Sequence, residues 1–286
     1  MLHHVSRRRL AAGVTGLALA GAALPLAAAE DALAVLERRH SGTLGVFALD
    51  TGSGRSLAYR GEERVLMCST FKALLAAAVL ARVDAGQDRL DHRIAYGRSD
   101  LLSYAPVARA HVGEGALSVE ALCAAAVEVS DNTAANLLLP TLGGPEGLTR
   151  FLRGIGDAVT RMDRNEPSLN VPSGELDTST PRAMAHSLRA ILLGEALSAA
   201  SRERLEGWMV ASTTGGARLR RGFPAGWRAG DKTGTGATQA NDVAIARPPG
   251  RAPLIVTAFF AATDSLGAAR DAVLRDVGAI VAAWAG

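Results

Sequence analysis

A helix-length run, residues 69–83, is apolar on nearly every side. A surface helix has one apolar stripe, whereas a helix apolar all round must be wrapped by other elements. The chain therefore has to supply a lobe around this segment. Its 286 residues suffice for one large domain or two interlocked ones. Apolar residues make up 48% and charged residues 21%, which supports a packed core and excludes whole-chain disorder.

Strand character flanks the helical middle. Residues 43–50 read as a strand, 51–54 as a turn and 55–60 as the returning strand of a hairpin. Ser118 is placed to cap a helix over 119–129, with Glu120 in its favourable first turn. Residues 133–139 read as helix and stop before Pro140; Gly143 and Gly144 break the chain, and Pro145 opens another helix. Residues 165–181, rich in Pro, Ser, Gly and Asp, form a loop, and 181–193 and 201–209 read as helices. Strands are expected at 228–235, 242–247 and 254–261, and an amphipathic helix at 265–283. This order predicts an α+β fold in two lobes. An antiparallel sheet with flanking helices comes from both chain ends (30–62 and 211–286). An all-helical lobe comes from 63–210, and the two form one catalytic unit with its site between them.

Residues 1–29 combine Arg7-Arg8-Arg9, an apolar stretch and the small-residue end Ala27-Ala28-Ala29, the pattern of a secretory signal peptide. The arginine pair after Ser6 suggests the twin-arginine route and a periplasmic or secreted product. An uncleaved anchor is the alternative. Past this leader no segment reaches the ~20 apolar residues of a membrane span. The leader also accounts for the charge. Lys and Arg total 31 against 28 acids, and without the three leader arginines the balance is neutral. With aromatics at 4%, no basic stripe or stacking platform for nucleic acid remains.

Only two of the cationic residues are lysines, Lys72 and Lys232. Arg stays protonated, whereas a buried Lys can lose its proton and act as a base. Ser69 precedes Lys72 by three, which puts both side chains on one helix face. Serine is a poor nucleophile until a base adjoins it, and a helix N-terminus offers N–H groups to a developing oxyanion. Lys232 stands in Asp231-Lys232-Thr233-Gly234-Thr235, where Asp231 replaces the glycine a phosphate loop requires. Ser130-Asp131-Asn132 reads as a helix cap; Asp131 can cap while Ser130 and Asn132 face a cleft.

Taken in order, these three elements resemble the serine β-lactamase and penicillin-binding superfamily. Glu166-Pro167-Ser168-Leu169-Asn170 adds the loop acid of its class A β-lactamases. The resemblance covers residues 30–286. It implies hydrolysis of penicillin- and cephalosporin-type antibiotics through an acyl-enzyme on Ser69, and hence resistance. On this pattern the N–H groups of Ser69 and Thr235 form the oxyanion hole, and Lys72, or Glu166 through water, takes the Ser69 proton. Ser130 protonates the leaving nitrogen, and Glu166 and Asn170 hold the deacylating water. Lys232, Thr233 and Arg218 hold the substrate carboxylate beside Gly234; Asn132 contacts the side-chain amide and Tyr104 forms one wall. A small-molecule β-lactam is the partner expected, acting on a monomer with no cofactor and no metal. Lowering a lysine from ~10.4 to ~7 costs about 4–5 kcal/mol, which burial and the charge of Lys232 would supply against Glu166.

Arg164 and Asp177 are expected to staple the loop, with two solvated charges as the alternative. The stretch from Asn170 to Asp177 is about two residues shorter than the family pattern. Asn165 also replaces a bulkier residue, which leaves more room beside an acyl group. Relatives bridge the residue before the nucleophile to one after the Lys-Thr-Gly motif, or Cys123 to the nucleophile helix. Gly236 and Ala76 stand at those partner positions, so Cys68 and Cys123 are expected to be free thiols.

Several rivals fall away. A D-Ala-D-Ala carboxypeptidase shares the first three motifs but lacks the Glu-bearing loop, and a sensor domain would stay acylated. A zinc hydrolase needs clustered ligands, whereas His40, His92, His111 and His186 are scattered. An α/β-hydrolase needs G-x-S-x-G, which does not occur.

Overall fold

The computed structural model describes residues 23–286 except Asp264 and Leu266. Residues 1–22, most of the expected leader, lie outside the described residues. The first half of the chain runs α1 (Leu26–Arg39), β1 (Thr43–Asp50), β2 (Ser56–Tyr59), β3 (Val65–Leu66), α2 (Phe71–Asp84), β4 (Arg93–Ala95), α3 (Pro106–Ala110), β5 (Ala116–Ser118), α4 (Val119–Glu128) and α5 (Asn132–Leu138). The second runs α6 (Pro145–Gly154), β6 (Thr178–Ser179), α7 (Pro181–Leu193), α8 (Ala199–Ala211), α9 (Leu219–Gly222), β7 (Arg228–Thr235), β8 (Gln239–Arg247), β9 (Leu254–Ala261) and α10 (Gly267–Ala285).

The α+β reading holds. Five antiparallel strands form one sheet in the order β2-β1-β9-β8-β7, so the early hairpin joins the late strands along β1 and β9. Side chains alternate between two cores, as the period of two requires. Phe47, Val243, Ile245, Ile255 and Phe259 join the core that contains α2. Val46, Ala244, Val256 and Phe260 face the other way, against Leu33 of α1 and Val273, Val277 and Trp284 of α10. Covered on both faces, β1, β8 and β9 are buried almost throughout.

Every residue from Phe71 to Leu80 of α2 is buried, Lys72 included, and α4, α5, α6, α7 and α8 surround the helix. The caps form as their chemistry dictates. Ser118 Oγ accepts from Ala121 N at 3.1 Å, and Asp131 Oδ1 from Ala134 N at 2.9 Å.

Helix and strand ends shift by one or two residues in several places, and three boundaries differ in ways with a physical reason. Residues 68–70 form a 3-10 turn, and α2 begins only at Phe71. β8 starts at Gln239, because Ala240 and Asn241 pair with Thr235 and Gly234 of β7 despite their poor strand propensity. The leader boundary drawn at residue 29 falls inside α1, where Ala29 is fully buried. Alanines that read as a cleavage signal are also the strongest helix formers.

Candidate active site

Ser69 sits in the tight turn that opens α2. Its predecessor Cys68 holds φ +46°, a left-handed conformation that costs a side-chain-bearing residue about 1–3 kcal/mol. The turn is pinned from behind. Asn241 Nδ2 donates to Leu66 O at 2.8 Å and Met67 O at 3.1 Å, and Thr70 Oγ1 donates to Met67 O at 2.9 Å.

Ser69 Oγ donates to Glu166 Oε1 at 3.1 Å. One helical turn on, Lys72 Nζ lies 3.0 Å from the same carboxylate oxygen. It also donates to Ser130 O at 2.9 Å, Ser130 Oγ at 3.3 Å and Asn132 Oδ1. Lys72 is fully buried. Burial pushes its amine below the ordinary lysine range, and the Glu166 charge pulls partly back. From the opposite lobe, Lys232 Nζ donates to Ser130 Oγ at 3.0 Å and Thr233 O at 2.7 Å. Burial first, and then the positive charge of Lys72, hold its amine well below the ordinary range. The two lysines of the chain thus meet on one hydroxyl, that of Ser130, itself held at φ +60°.

The loop carrying Glu166 is tied at both ends. Arg164 Nε donates to Asp177 Oδ2 at 2.6 Å, and the fully buried Asp177 also accepts from the backbone N of Asp163 and of Arg164 through Oδ1. This is the staple, not a pair of solvated charges. Asn170 Nδ2 donates to Glu166 Oε2 at 2.6 Å, and Asn170 Oδ1 is buried without a partner among the described residues.

β7 forms the other wall. A Cβ on Gly234 would lie 2.6 Å from Met67 O, so glycine lets the strand run against the nucleophile turn. Thr233 Oγ1 is 2.6 Å from Thr214 Oγ1. Arg218 is tied into this wall by four of its five N–H groups, which donate to Asp271 Oδ1 at 2.7 Å, Gly234 O at 3.0 Å, Asn241 O at 2.8 Å and Thr235 Oγ1 at 2.8 Å. It faces the cleft through the Thr235 hydroxyl. Tyr104, half exposed, stands at the rim, where its carbonyl accepts from Asn132 N at 3.0 Å.

The family model described as "Beta-lactamase enzyme family" matches residues 28–285. The chain belongs to that family. This β-lactamase is 45% identical to Beta-lactamase AST-1 of Nocardia asteroides, over 89% of this chain and 83% of that one. It is 47% identical to the carbapenem-hydrolyzing beta-lactamase KPC of Klebsiella oxytoca, over 80% of this chain and 79% of that one. Among solved structures it resembles a beta lactamase from Burkholderia vietnamiensis, with TM-score 0.89 and 53% identity over 90% of this chain and 96% of that one. An ancestral class A beta-lactamase of Gram-negative bacteria superposes with TM-score 0.86 and 58% identity, over 88% of this chain and 98% of that one. The β-lactamase is a class A serine enzyme, and its activity is β-lactam hydrolysis, the basis of resistance.

Sequence reasoning missed two members of the β-lactamase site. Asn136 clamps the Glu166 backbone, with Oδ1 accepting from Glu166 N at 3.0 Å and Nδ2 donating to Glu166 O at 2.9 Å. Its spacing of four from Asn132 on α5 was the available signal. Asp271 of α10, which orients Arg218, carried none. Cys68 and Cys123 are both buried and unbridged, as expected.

Proposed function

We propose that Ser69 opens the lactam and Glu166 serves both halves of the reaction. Ser69 Oγ attacks the lactam carbonyl carbon as its proton passes to Glu166. The carbonyl oxygen takes the negative charge and accepts from the N–H groups of Ser69 and Thr235. As the C–N bond breaks, Ser130 gives its proton to the nitrogen and is resupplied through Lys72 with the proton held by Glu166, which returns to the carboxylate form. Water, losing a proton to Glu166, then attacks the Ser69 ester, and Glu166 returns that proton to Ser69 Oγ as the product acid leaves. The buried free oxygen of Asn170 supports a water site beside Glu166. Lys232, Thr233 and the Thr235 hydroxyl take the substrate carboxylate, with Arg218 holding Thr235 in place. Asn132 and Tyr104 contact the acylamido side chain, next to a loop shortened between Asn170 and Asp177.

The observation that carries this reading is the shared oxygen. Ser69 Oγ and Lys72 Nζ both contact Glu166 Oε1, which favours the carboxylate as the direct acceptor of the Ser69 proton. Glu166→Gln tests it. Turnover of a penicillin falls by about 10²–10⁴-fold. Intact-mass measurement finds a one-to-one adduct on Ser69 that forms more slowly than in the parent and then persists. Parental turnover in Glu166→Gln, an adduct formed at the parental rate, or an adduct elsewhere overturns the assignment.

We also infer that the chain is exported by the twin-arginine route and works as one unit, with the sheet lobe (30–62 and 211–286) closing on the helical lobe (63–210). Family membership and the leader's composition support export. Among the described residues no helix is long and apolar enough to cross a membrane.

A further inference from the structure

A half-enclosed cavity of about 130 Å³ lies under residues 63–66, the segment that leads into Cys68 and Ser69. Its floor is two rows that cross the sheet through β1, β9 and β8: Thr43, Ala261 and Gln239 in one, Gly45, Phe259 and Asn241 in the next. The room exists because Ala261 and Thr43 have short side chains; at Gly45 a Cβ would meet Pro181 Cγ at 2.9 Å, so glycine there lets Pro181 close one side. Val65 and Leu66 also line it, so apart from Gln239, Asn241 and Thr43 the interior is aliphatic and aromatic. At the edge, Arg60 pairs with Glu37 and Glu63, and Arg64 with Glu175. Guanidinium groups already matched by carboxylates give an ionic ligand little to gain. An apolar cavity of about 150 Å³ holds one benzene ring, which sets the size of occupant. Thr43 Oγ1 and the Gln239 amide can each hydrogen-bond a single polar substituent.

Two walls of this cavity are also struts of the catalytic site. Asn241 lines it while donating to Leu66 O and Met67 O, directly before the nucleophile turn. The Asn241 carbonyl accepts from Arg218, which holds Thr235. A ligand that shifts Asn241 or Leu66 therefore moves both sides of the cleft at once.

We propose that this cavity is a binding site for a small neutral aromatic molecule bearing one hydroxyl, and that its occupation alters turnover at Ser69 without competing with substrate. The binding half is independent of the roles assigned to Glu166 and Lys72.

The probe is 4-fluorophenol, followed by fluorine NMR against the whole protein. Saturable broadening is expected with the parent. It is lost in Ala261→Leu, which fills the cavity, with circular dichroism confirming that this variant folds. Thr43→Val binds 4-fluorophenol about five-fold more weakly and fluorobenzene unchanged. With a chromogenic cephalosporin, 4-fluorophenol changes kcat of the parent, leaves KM in place, and has no effect on Ala261→Leu. No saturable binding, or equal binding by Ala261→Leu, overturns the site. A rise in KM alone, or no change in turnover while the probe is bound, overturns the coupling.

Discussion

Arg164→Ala should separate the two halves of the catalytic cycle. Asp177 is fully buried, and its carboxylate holds two backbone N–H groups and the Arg164 guanidinium. Removing one partner of a buried pair typically costs about 3–5 kcal/mol. Here both backbone donors stay on Asp177, and the Arg164 side chain is itself 23% exposed, so a loss of about 2–3 kcal/mol is expected. In a domain of this size each kcal/mol lowers Tm by about 2–4 °C, so the transition should fall by about 4–12 °C. The Arg164 bond to the carbonyl of Val171, 2.8 Å, is lost as well. The loop then holds Glu166 loosely, while Ser69, Lys72 and Ser130 lie outside it on other elements. Acylation, which also draws on Glu166, slows, and hydrolysis of the ester, which needs Glu166 and Asn170 together to hold its water, slows further. Scanning calorimetry reads the first effect, and stopped-flow hydrolysis of a chromogenic cephalosporin reads the second as a burst equal to the enzyme concentration. Arg164→Lys keeps the charge without the fork and should fall between. An unchanged Tm together with a linear, burst-free progress curve would refute the staple.

Three further outcomes follow from the geometry. Lys232, held well below the ordinary lysine range by burial and by Lys72, loses its charge as pH rises through its lowered pKa, and affinity for a carboxylate falls with it. The alkaline limb of kcat/KM should therefore disappear in Lys232→Arg, which does not titrate, and persistence of the limb contradicts the assignment. A Cβ at Gly236 would sit 3.2 Å from Cys68 Sγ, so Gly236→Cys should form a disulfide. Burial raises the Cys68 thiol to about 12, so an added oxidant is needed; thiol titration of the oxidised, unfolded variant then finds one free thiol, and three would refute it. Asn136→Ala frees both backbone groups of Glu166 and should cost about 1–2 kcal/mol in urea unfolding while slowing deacylation more than acylation; equal slowing of both steps points to a different function for Asn136.

Much of the site was legible because its chemistry is local. Ser69 and Lys72 share a helix face by spacing alone, and Ser118 and Asp131 are capping residues at the places where caps form. The buried character of α2 follows from composition. What escaped depends on contacts between distant segments. Nothing near Asp271 announces that it meets Arg218, and Arg218, one of three arginines in Arg218-Leu219-Arg220-Arg221, gave no sign that carbonyls of β7 and β8 would occupy it. Gln239 to Asn241 look unlike a strand until β7 lies alongside. The alanines at the end of the leader serve helix and cleavage signal equally well, so the start of α1 at Leu26 was not legible from composition.

The strand order has a consequence for biosynthesis. β1 is made early, yet its partner β9 is among the last segments to leave the ribosome. Until then the hairpin of β1 and β2 has an unpaired edge, and Lys232 has not met the serines it must join. Such pairing across a whole polypeptide is slow, and the waiting edge invites aggregation. Truncated products of this gene should therefore be inert and short-lived, and resistance should appear only after translation has run to its end.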